Sequence, residues 1–505
     1  MTSPGTRRPV VLLRADASPE AGAGHLLRMV ALGAALRSSS DVTLATCTTH
    51  PGLLEHAAHH GLAVVHLDRP YPAPDDADGV LARARAAVAP WVVVDGYQFD
   101  GRYAERLRGA GARVAMVDDL PRLERYDVDL LLDQNPGALR QPYAGAPSRL
   151  LLGPQFTLLR PGFAAARTGA RPDGRRILVS AGASDVGGVT SRILEALAPR
   201  TELQVTAVIG AANPGGAAVR AAFADVPHIR FAENSLDMPA LMTGADLAIA
   251  STGIMLWELA CLGVPTLVIS STPVQHAVAR IAHECGAWQW LGDSAAMTSA
   301  EIGAALDALL ADSARRAEMS RLGRIIVDGQ GAARVARALL TEAPPDWAVR
   351  RSGPADAEAI WEIAADPGVR RLSFRSETFG FAEHDAWYRR RLESPACQLW
   401  VVAREGVVGG FVRYDRSGED AEVSIAVAPA LRGHGLGARL LSESARPAGR
   451  ALGVRRIRAS VLEDNDTSRR LFASVGFAAV DGPAARYGHP CLMFELAVTP
   501  EAAAS

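Results

Sequence analysis

A chain of 505 residues is too long for one hydrophobic core and, at ordinary domain sizes, divides into roughly three or four units. Hydrophobic residues make up 49% and charged residues 21%, which excludes a disordered chain, and a formal net charge of -2 supplies no global field for nucleic acid or an anionic membrane. The five cysteines (Cys47, Cys261, Cys285, Cys397, Cys491) are odd in number, scattered and without C-x-x-C spacing, which argues against a disulfide framework and a zinc site and fits a reducing compartment. No stretch approaches the about 20 apolar residues of a membrane span, and the apolar run behind Arg7 and Arg8 is shorter than a signal h-region. The expectation is a cytoplasmic protein with neither nucleic-acid nor membrane partners.

Apolar runs of strand length alternate with helix-like segments from the start: VVLL (10–13), VTLAT (42–46), LAVVHL (62–67), WVVVDG (91–96) and RVAMVDD (113–119). Each is apolar on both parities, as a strand buried on both faces has to be, so 8–165 reads as a parallel sheet covered by helices. The pattern restarts at RRILVSAGASD (175–185) and runs through LQVTAVIG (203–210), HIRFAEN (228–234), ADLAIAS (245–251) and GVPTLVIS (263–270), a second doubly wound unit over 173–340. Two such units in succession imply a ligand cleft between them. Paired prolines in TEAPPDW mark a linker, 341–347.

From 348 to 498 two helical stretches precede LWVVARE (399–405), VVGGFVRYD (407–415) and EVSIAVAP (422–429). A glycine-rich turn, a long helix, RIRASVL (456–462), another helix and LMFEL (492–496) follow, which reads as a mixed sheet. The fold class is α/β: two Rossmann-like domains and a third α/β domain with a mixed sheet.

The stretch ADASPEAGAGHLLRMV (15–30) stands where the first strand hands over to a helix. Leu27 breaks the third glycine of a dinucleotide fingerprint, and no Gly-Lys-Ser/Thr ending makes it a phosphate loop. What remains is His25 at a helix start, where the positive end of the dipole disfavours imidazolium and leaves an imidazole able to accept a proton. A surface or capping histidine is the alternative. At the end of a neighbouring strand stand Asp95 and Tyr97, where ligands collect in open α/β sheets; Tyr97 as a packing aromatic is the competing reading.

Together, Arg14 to Ser18 (RADAS, with Asp16), the G-x-G-H ending at His25 with Arg28 after it, Asp95-x-Tyr97 and GPQFTLLRPGF (153–163) resemble the UDP-2,4-diacetamido-2,4,6-trideoxy-β-L-altropyranose hydrolases of pseudaminic acid biosynthesis, over residues 8 to about 340. The resemblance implies a GT-B-like fold, His25 as the base that activates water at the anomeric carbon, Tyr97 in the same site, Arg160 as a substrate contact and no metal. In the second unit the loop Ala181 to Asp185, with Ser184, leads into a helix that can aim N–H groups at phosphate. AIASTGIMLWELACLGVPT (248–266) puts Ser251, Thr252 and Gly253 at a strand end and Glu258 further on; the GT-B resemblance assigns Glu258 to the ribose hydroxyls, and a helix glutamate in an ion pair is the alternative. Gln275 keeps the family's position while Val274 stands where the family has Asn, which puts the contacts to the sugar's amide groups in doubt.

Further on, ALRGHGLGARLL (430–441) holds Arg432, Gly433, His434, Gly435, Gly437 and Ala438 directly after a strand, and NDTSRRLFASVGF (465–477) holds Asn465 and Ser468. These resemble the acetyl-CoA loop and pantetheine neighbourhood of the GNAT acetyltransferases over about 348–498, with backbone N–H groups cradling pyrophosphate; an Asn cap on a solvated helix is the alternative for Asn465. Glu422 is a candidate base or an ordinary strand residue, and the N–H near Val427 a candidate oxyanion donor. Phe472 stands where many members carry a tyrosine acid, so the thiolate proton comes from elsewhere. The segment 366–392 resembles the nucleotide-sugar N-acetyltransferases of the same pathway; His384 and Trp387 share a helix face there, with core packing the favoured role for Trp387.

The reading is a bifunctional enzyme taking acetyl-CoA and a UDP-linked amino sugar, acetylating the 4-amino group and hydrolysing the product to UDP and free sugar. A glycosyltransferase joined to the acetyltransferase is the alternative, and a non-catalytic module presenting the nucleotide sugar is a third.

Overall fold

The computed structural model describes the chain except residues 1–7, 19–21, 85–89, 142, 144–146, 148, 168–173, 183–184, 186, 211–212, 234–237, 342–346, 433–434 and 499–505. The chain forms two units, 1–136 with 143–343, and 137–142 with 344–505.

In the first unit β1 (Val10–Ala15), β2 (Asp41–Thr46), β3 (Ala63–His66), β4 (Trp91–Asp95), β5 (Arg113–Val117), β6 (Leu130–Asp133) and β7 (Arg149–Leu152) form a parallel sheet in the order β3-β2-β1-β4-β5-β6-β7. All of β4 is buried, which is why its sequence is apolar on both parities. Each such valine contributes about 1.5–3 kcal/mol by leaving water. The strand order reverses between β1 and β4, where Ala15 is registered against Asp95, so the loops after these two strands diverge around a crevice.

The second lobe repeats the scheme with β8 (Arg176–Ser180), β9 (Gln204–Ile209), β10 (Ile229–Glu233), β11 (Leu247–Ser251), β12 (Thr266–Ser270) and β13 (Trp288–Asp293), all parallel in the order β10-β9-β8-β11-β12-β13. Its reversal falls between β8 and β11. Strands β6, β7 and β13 were not among the expected runs: LLLD and RLLL are short and leucine-rich, and leucine favours helix, so their pattern decides nothing. The helix Gly331–Leu340 does not stay with the second lobe but packs on the helix Gly24–Leu36 and on the turn Pro154–Phe156. Gly331 permits this, since a β-carbon there would overlap the Thr157 carbonyl oxygen.

The second unit holds a mixed sheet of β14 (Ala348–Arg351), β15 (Cys397–Arg404), β16 (Val407–Ser417), β17 (Asp420–Val427), β18 (Arg456–Leu462), β19 (Ala478–Arg486) and β20 (His489–Ala497), in the order β14-β15-β16-β17-β18-β20-β19. Pairing is antiparallel except between β17 and β18, which run parallel and pair only from Asp420–Arg456 to Glu422–Arg458. Beyond Glu422 the two strands part. Residues 137–142, expected within the first domain, belong to this unit: the Gly137 amide donates to the Glu362 carboxylate and the Arg140 guanidinium lies 4.8 Å over the Trp361 ring.

Candidate functional site

The first candidate site lies at the β1/β4 reversal. His25 is the second residue of the helix Gly24–Leu36, whose N-cap, Ala23, offers no side chain to the first amides. The His25 ring is buried, and its Nδ1 lies 2.7 Å from Asp95 Oδ1 at the end of β4. The same Nδ1 also lies 2.8 Å from Arg28 Nη2, which can only donate; in the tautomer that gives the Nδ1 proton to Asp95, Nε2 is the acceptor, and Nε2 makes no hydrogen bond among the described residues. The Tyr97 ring packs edge-on against His25 at 4.8 Å between centroids, 45% exposed, while its hydroxyl donates to Asp119 Oδ2 at 2.8 Å. Desolvation of that hydroxyl, reinforced by the Asp119 charge, raises the Tyr97 pKa and keeps it protonated. The expectation from the helix dipole alone was incomplete, because it took no account of a buried carboxylate on the same imidazole.

Two expected ligand contacts stand behind this surface instead. Arg28 is buried and donates to Asp95 through Nε (2.9 Å) and Nη2 (2.7 Å) and to Asp119 through Nη1 (2.6 Å). Burial would raise the Asp119 pKa, but the Arg28 charge outweighs it and holds that carboxyl well below the ordinary range. Arg14 is fully buried, with Nη1 and Nη2 on the two oxygens of Asp16 (2.6 and 2.7 Å) and Nε on Asp76 at 3.1 Å. Arg14 and Arg28, expected as substrate contacts, spend these donors on carboxylates and fix Asp16 and Asp95 in place. Asp16 also accepts from the Cys47 amide (2.6 Å) and Thr46 Oγ1 (3.1 Å); burial pushes its pKa up, yet the hydrogen bonds and charge of Arg14 carry it below the ordinary value. Asp76, Asp119 and Asn135, which donates to Asp119 Oδ1 at 3.0 Å, were not foreseen. The one available signal was the Asp118-Asp119 pair ending the run RVAMVDD, beside β4.

In the second lobe Ser251 ends β11, and Thr252 and Gly253 lead into the helix Ile254–Leu262. Gly253 (φ 155) has open space where a β-carbon would stand, no side chain caps this helix, and the buried Thr252 Oγ1 is without a partner in the described structure. These features leave backbone N–H groups and a hydroxyl for an anionic or hydroxylated ligand. Glu258, inside the helix, accepts from Arg160 through Nε (3.0 Å) and Nη2 (2.7 Å), both onto Oε1, so the two residues expected to meet substrate meet each other. The helix after the 181–185 loop behaves otherwise than expected: Asp185 (φ 48) itself takes the amides of Val189 (2.9 Å) and Thr190, filling the place foreseen for phosphate. Burial raises the Asp185 pKa. Ser184 lies outside the described residues. Gln275 accepts from the Ser271 amide at 2.9 Å through Oε1, a local turn role. Among the described residues no group of three His, Cys, Asp or Glu is placed to hold a metal ion, and no helix is long and apolar enough to cross a membrane.

The second candidate site is the parting of β17 and β18. Ala428 donates to the Gly409 carbonyl at 2.9 Å, and the alternation of an antiparallel ladder therefore turns the Val427 N–H away from β16, toward the edge that β18 has left. The helix Leu436–Leu452 starts beside it with Gly435 (φ 73) as an N-cap that has no side chain. Gly437 lets the helix approach Leu471 and Val427, to which a β-carbon would stand at 3.2 and 3.5 Å. Arg432 donates to Asp366 Oδ1 at 3.2 Å; Gly433 and His434 lie outside the described residues; the Ala438 carbonyl accepts from Ser442. Glu422 is 43% exposed at its side chain and is ion-paired with Arg486, which also donates to Ser460 Oγ at 3.2 Å. Asn465 Oδ1 accepts from the Ser468 amide at 3.1 Å and so caps the helix Asp466–Ser474, the alternative already allowed for it. Phe472 is buried against Phe477 and Phe494. Trp387, expected in the core, is only partly buried and lies under the Arg391 and Arg413 guanidinium groups, while His384 is buried with Nε2 unpartnered.

The model of the acetyltransferase (GNAT) family matches residues 359–477. The spore coat polysaccharide biosynthesis protein SpsG of Bacillus subtilis (strain 168) is 26% identical over 328 residues, covering 64% of this chain and 95% of that protein. The solved structure of YncA, a putative acetyltransferase from Salmonella typhimurium with its cofactor acetyl-CoA, is 26% identical over 32% of this chain and 98% of its own (TM-score 0.28). MurG of Acinetobacter baumannii is 16% identical over 65% of this chain and 99% of its own (TM-score 0.46). The first unit holds two Rossmann-type lobes with parallel sheets, and the second is an α/β domain with a mixed sheet that the GNAT family model matches over 359–477.

Proposed function

We propose that the chain is a bifunctional, cytoplasmic nucleotide-sugar enzyme of pseudaminic acid biosynthesis. Its first unit hydrolyses UDP-2,4-diacetamido-2,4,6-trideoxy-β-L-altropyranose, and its second N-acetylates the 4-amino precursor. The observation that carries the hydrolase reading is the His25–Asp95 pair at the β1/β4 reversal, with Nε2 unengaged. On this reading His25 Nε2 takes a proton from water, the water oxygen bonds to the anomeric carbon, and the carbon–oxygen bond to UDP breaks with its electron pair leaving on the diphosphate. Asp95 orients the imidazole and stabilises its protonated form. Tyr97 and Asp16 face the sugar; Ser251, Thr252, Gly253 and the amides that follow hold the diphosphate, Glu258 the ribose and Gln275 the sugar's substituents. The naming of the Bacillus relative for polysaccharide biosynthesis supports a sugar substrate.

For the second unit, the fit to acetyl-CoA rests on the freed edge of β17 and the side-chain-free start of the helix Leu436–Leu452. Val427, Arg432, Gly435, Gly437, Ala438, Asn465 and Ser468 form the holding surface; Gly433 and His434 are assigned to it from the sequence alone and lie outside the described residues. Acetyl-CoA supplies the acyl group as a thioester. The Val427 N–H donates to the carbonyl oxygen as the amine nitrogen bonds to the carbonyl carbon; the carbon–sulfur bond breaks, its electron pair leaving on the thiolate, which takes a proton from solvent, and Glu422, ion-paired and partly exposed, passes the amine proton on to solvent.

Purified full-length protein incubated with the UDP-sugar and no acceptor is expected to release UDP steadily, and His25→Ala to abolish that release. Release that requires an added acceptor would assign a glycosyltransferase instead, and binding without turnover at any pH would leave a presenting module.

A further inference from the structure

We propose that Arg160 is an internal competitor of the nucleotide: in the empty protein it neutralises Glu258, and the ribose diol displaces it. The inference rests on the reading of Glu258 as the ribose-binding residue. Arg160 follows β7 in the segment leading to the second lobe, and Glu258 lies in the helix Ile254–Leu262 of that lobe. Their side chains are 9% and 2% exposed, and Arg160 Nε and Nη2 converge on one oxygen, Oε1, while Oε2 makes no hydrogen bond among the described residues. Two vicinal hydroxyls need both carboxylate oxygens. A diol therefore cannot dock fully while the guanidinium holds Oε1, and a carboxylate this deeply buried cannot stand alone in the empty state.

A second observation shows where the displaced guanidinium can go. His56, in the helix Pro51–His59, is 5% exposed, and neither ring nitrogen has a partner among the described residues. Burial, helped by the nearby Arg160 charge and by His60 and His59, lowers its pKa to about 4, so at neutral pH the ring carries a lone pair and no charge. A buried, unpartnered imidazole within electrostatic reach of Arg160 offers an acceptor to an N–H that has lost its carboxylate.

The test is calorimetric titration of full-length protein at pH 8 with UDP and with 2′-deoxy-UDP. If the Arg160–Glu258 pair is closed for nine-tenths of the time, its removal in Arg160→Met tightens UDP about tenfold, with no gain for the deoxy analogue. Arg160→Lys, which keeps the charge and the fold, is expected to fall between. His56→Leu is expected to weaken UDP severalfold without lowering the melting temperature of the empty protein. Weaker UDP binding by Arg160→Met or Arg160→Lys would make Arg160 a direct ligand contact and overturn the proposal. If wild type and Glu258→Gln alike fail to discriminate UDP from the deoxy analogue, the ribose role of Glu258 itself is lost, a failure separate from that of the latch.

Discussion

The His25 and Glu422 centres place their chemistry in opposite ways. Around His25 the supporting groups Asp95, Arg28, Asp119 and Asn135 are all buried, and each is held by more than one partner. In so dry a setting each hydrogen bond is strong, and the orientation of the imidazole is over-determined. Glu422 instead is 43% exposed at its side chain, with one arginine on it that is itself partly exposed. Screening leaves such a pair worth little. What is rigid in the second unit is its backbone: the Val427 N–H set by the ladder and the helix start set by Gly435. The first unit invests its precision in a side chain, the second in the main chain.

The sharpest way to break this contrast is a matched pair of isosteric changes. Asp95→Asn keeps the volume but loses the charge that orients and stabilises the imidazole, and UDP release is expected to fall by about 10²–10⁴ with acetyl transfer unaffected. Glu422→Gln is expected to reduce acetyl transfer by less than about tenfold, with UDP release unaffected. Steady-state kcat values for the two reactions, measured on the same preparations, decide it. Equal losses would show that acetyl transfer depends on Glu422 as heavily as hydrolysis depends on Asp95.

The same contrast explains what was legible in the sequence. Strands buried on both faces announce themselves by apolar residues on both parities, so β1, β2, β4, β5 and the centre of the second sheet could be read directly. His25 stood at a helix start and Asp95 and Tyr97 at a strand end, so all three could be singled out. Their supports could not. Asp119 comes from the end of β5, Asn135 from beyond β6 and Asp76 from the helix Pro74–Ala84, and only the strand order and the packing bring them together. Nor does a motif distinguish an arginine that meets a ligand from one that holds a carboxylate. Arg14 and Arg28 are both buried on carboxylates, which no motif foretold. The hexapeptide 137–142 carries no composition that would assign it to the second unit.

A smaller effect sharpens the comparison through pH. His384 is 4% exposed and stacked on Phe379 and Tyr388; burial lowers its pKa from 6.5 to about 4, with Asp385 and Arg413 pulling in opposite directions. A histidine whose folded pKa lies below its unfolded value is neutral in the native state and takes up a proton on unfolding. Its contribution to stability is therefore complete above pH about 6.5 and is lost as pH falls toward 4, at a cost of about 3 kcal/mol. His56 confers the same acid sensitivity on the first unit. His384→Phe should flatten the acid limb in the second unit alone. Hydrogen-exchange protection factors of β15 and β16, taken relative to the intrinsic rate at each pH, are expected to lose their steep fall between pH 7 and 4.5 in the variant while those of β1 and β4 keep theirs, and unchanged profiles would remove His384 as the cause.

The smallest effect separates a cap from a ligand contact at Asn465. Helix starts that face the proposed ligands, Gly24–Leu36 and Ile254–Leu262, have no side-chain cap, whereas Asp466–Ser474 is capped by Asn465 through the Ser468 amide. Its Oδ1 cannot serve the Ser468 amide and a pantetheine amide with full strength at once. Asn465→Ala is expected to destabilise the fold by about 1 kcal/mol in urea unfolding, and Asn465→Asp, which keeps the cap, to restore most of that loss. If the residue only caps, the KM for acetyl-CoA stays within about twofold of wild type in Asn465→Asp, because 1 kcal/mol of helix stability spread over the native state leaves the bound geometry intact. A KM that rises tenfold in both variants while stability recovers in Asn465→Asp would move Asn465 from the helix terminus into the cofactor surface, and would give the second unit a side chain fixed as firmly as His25 is in the first.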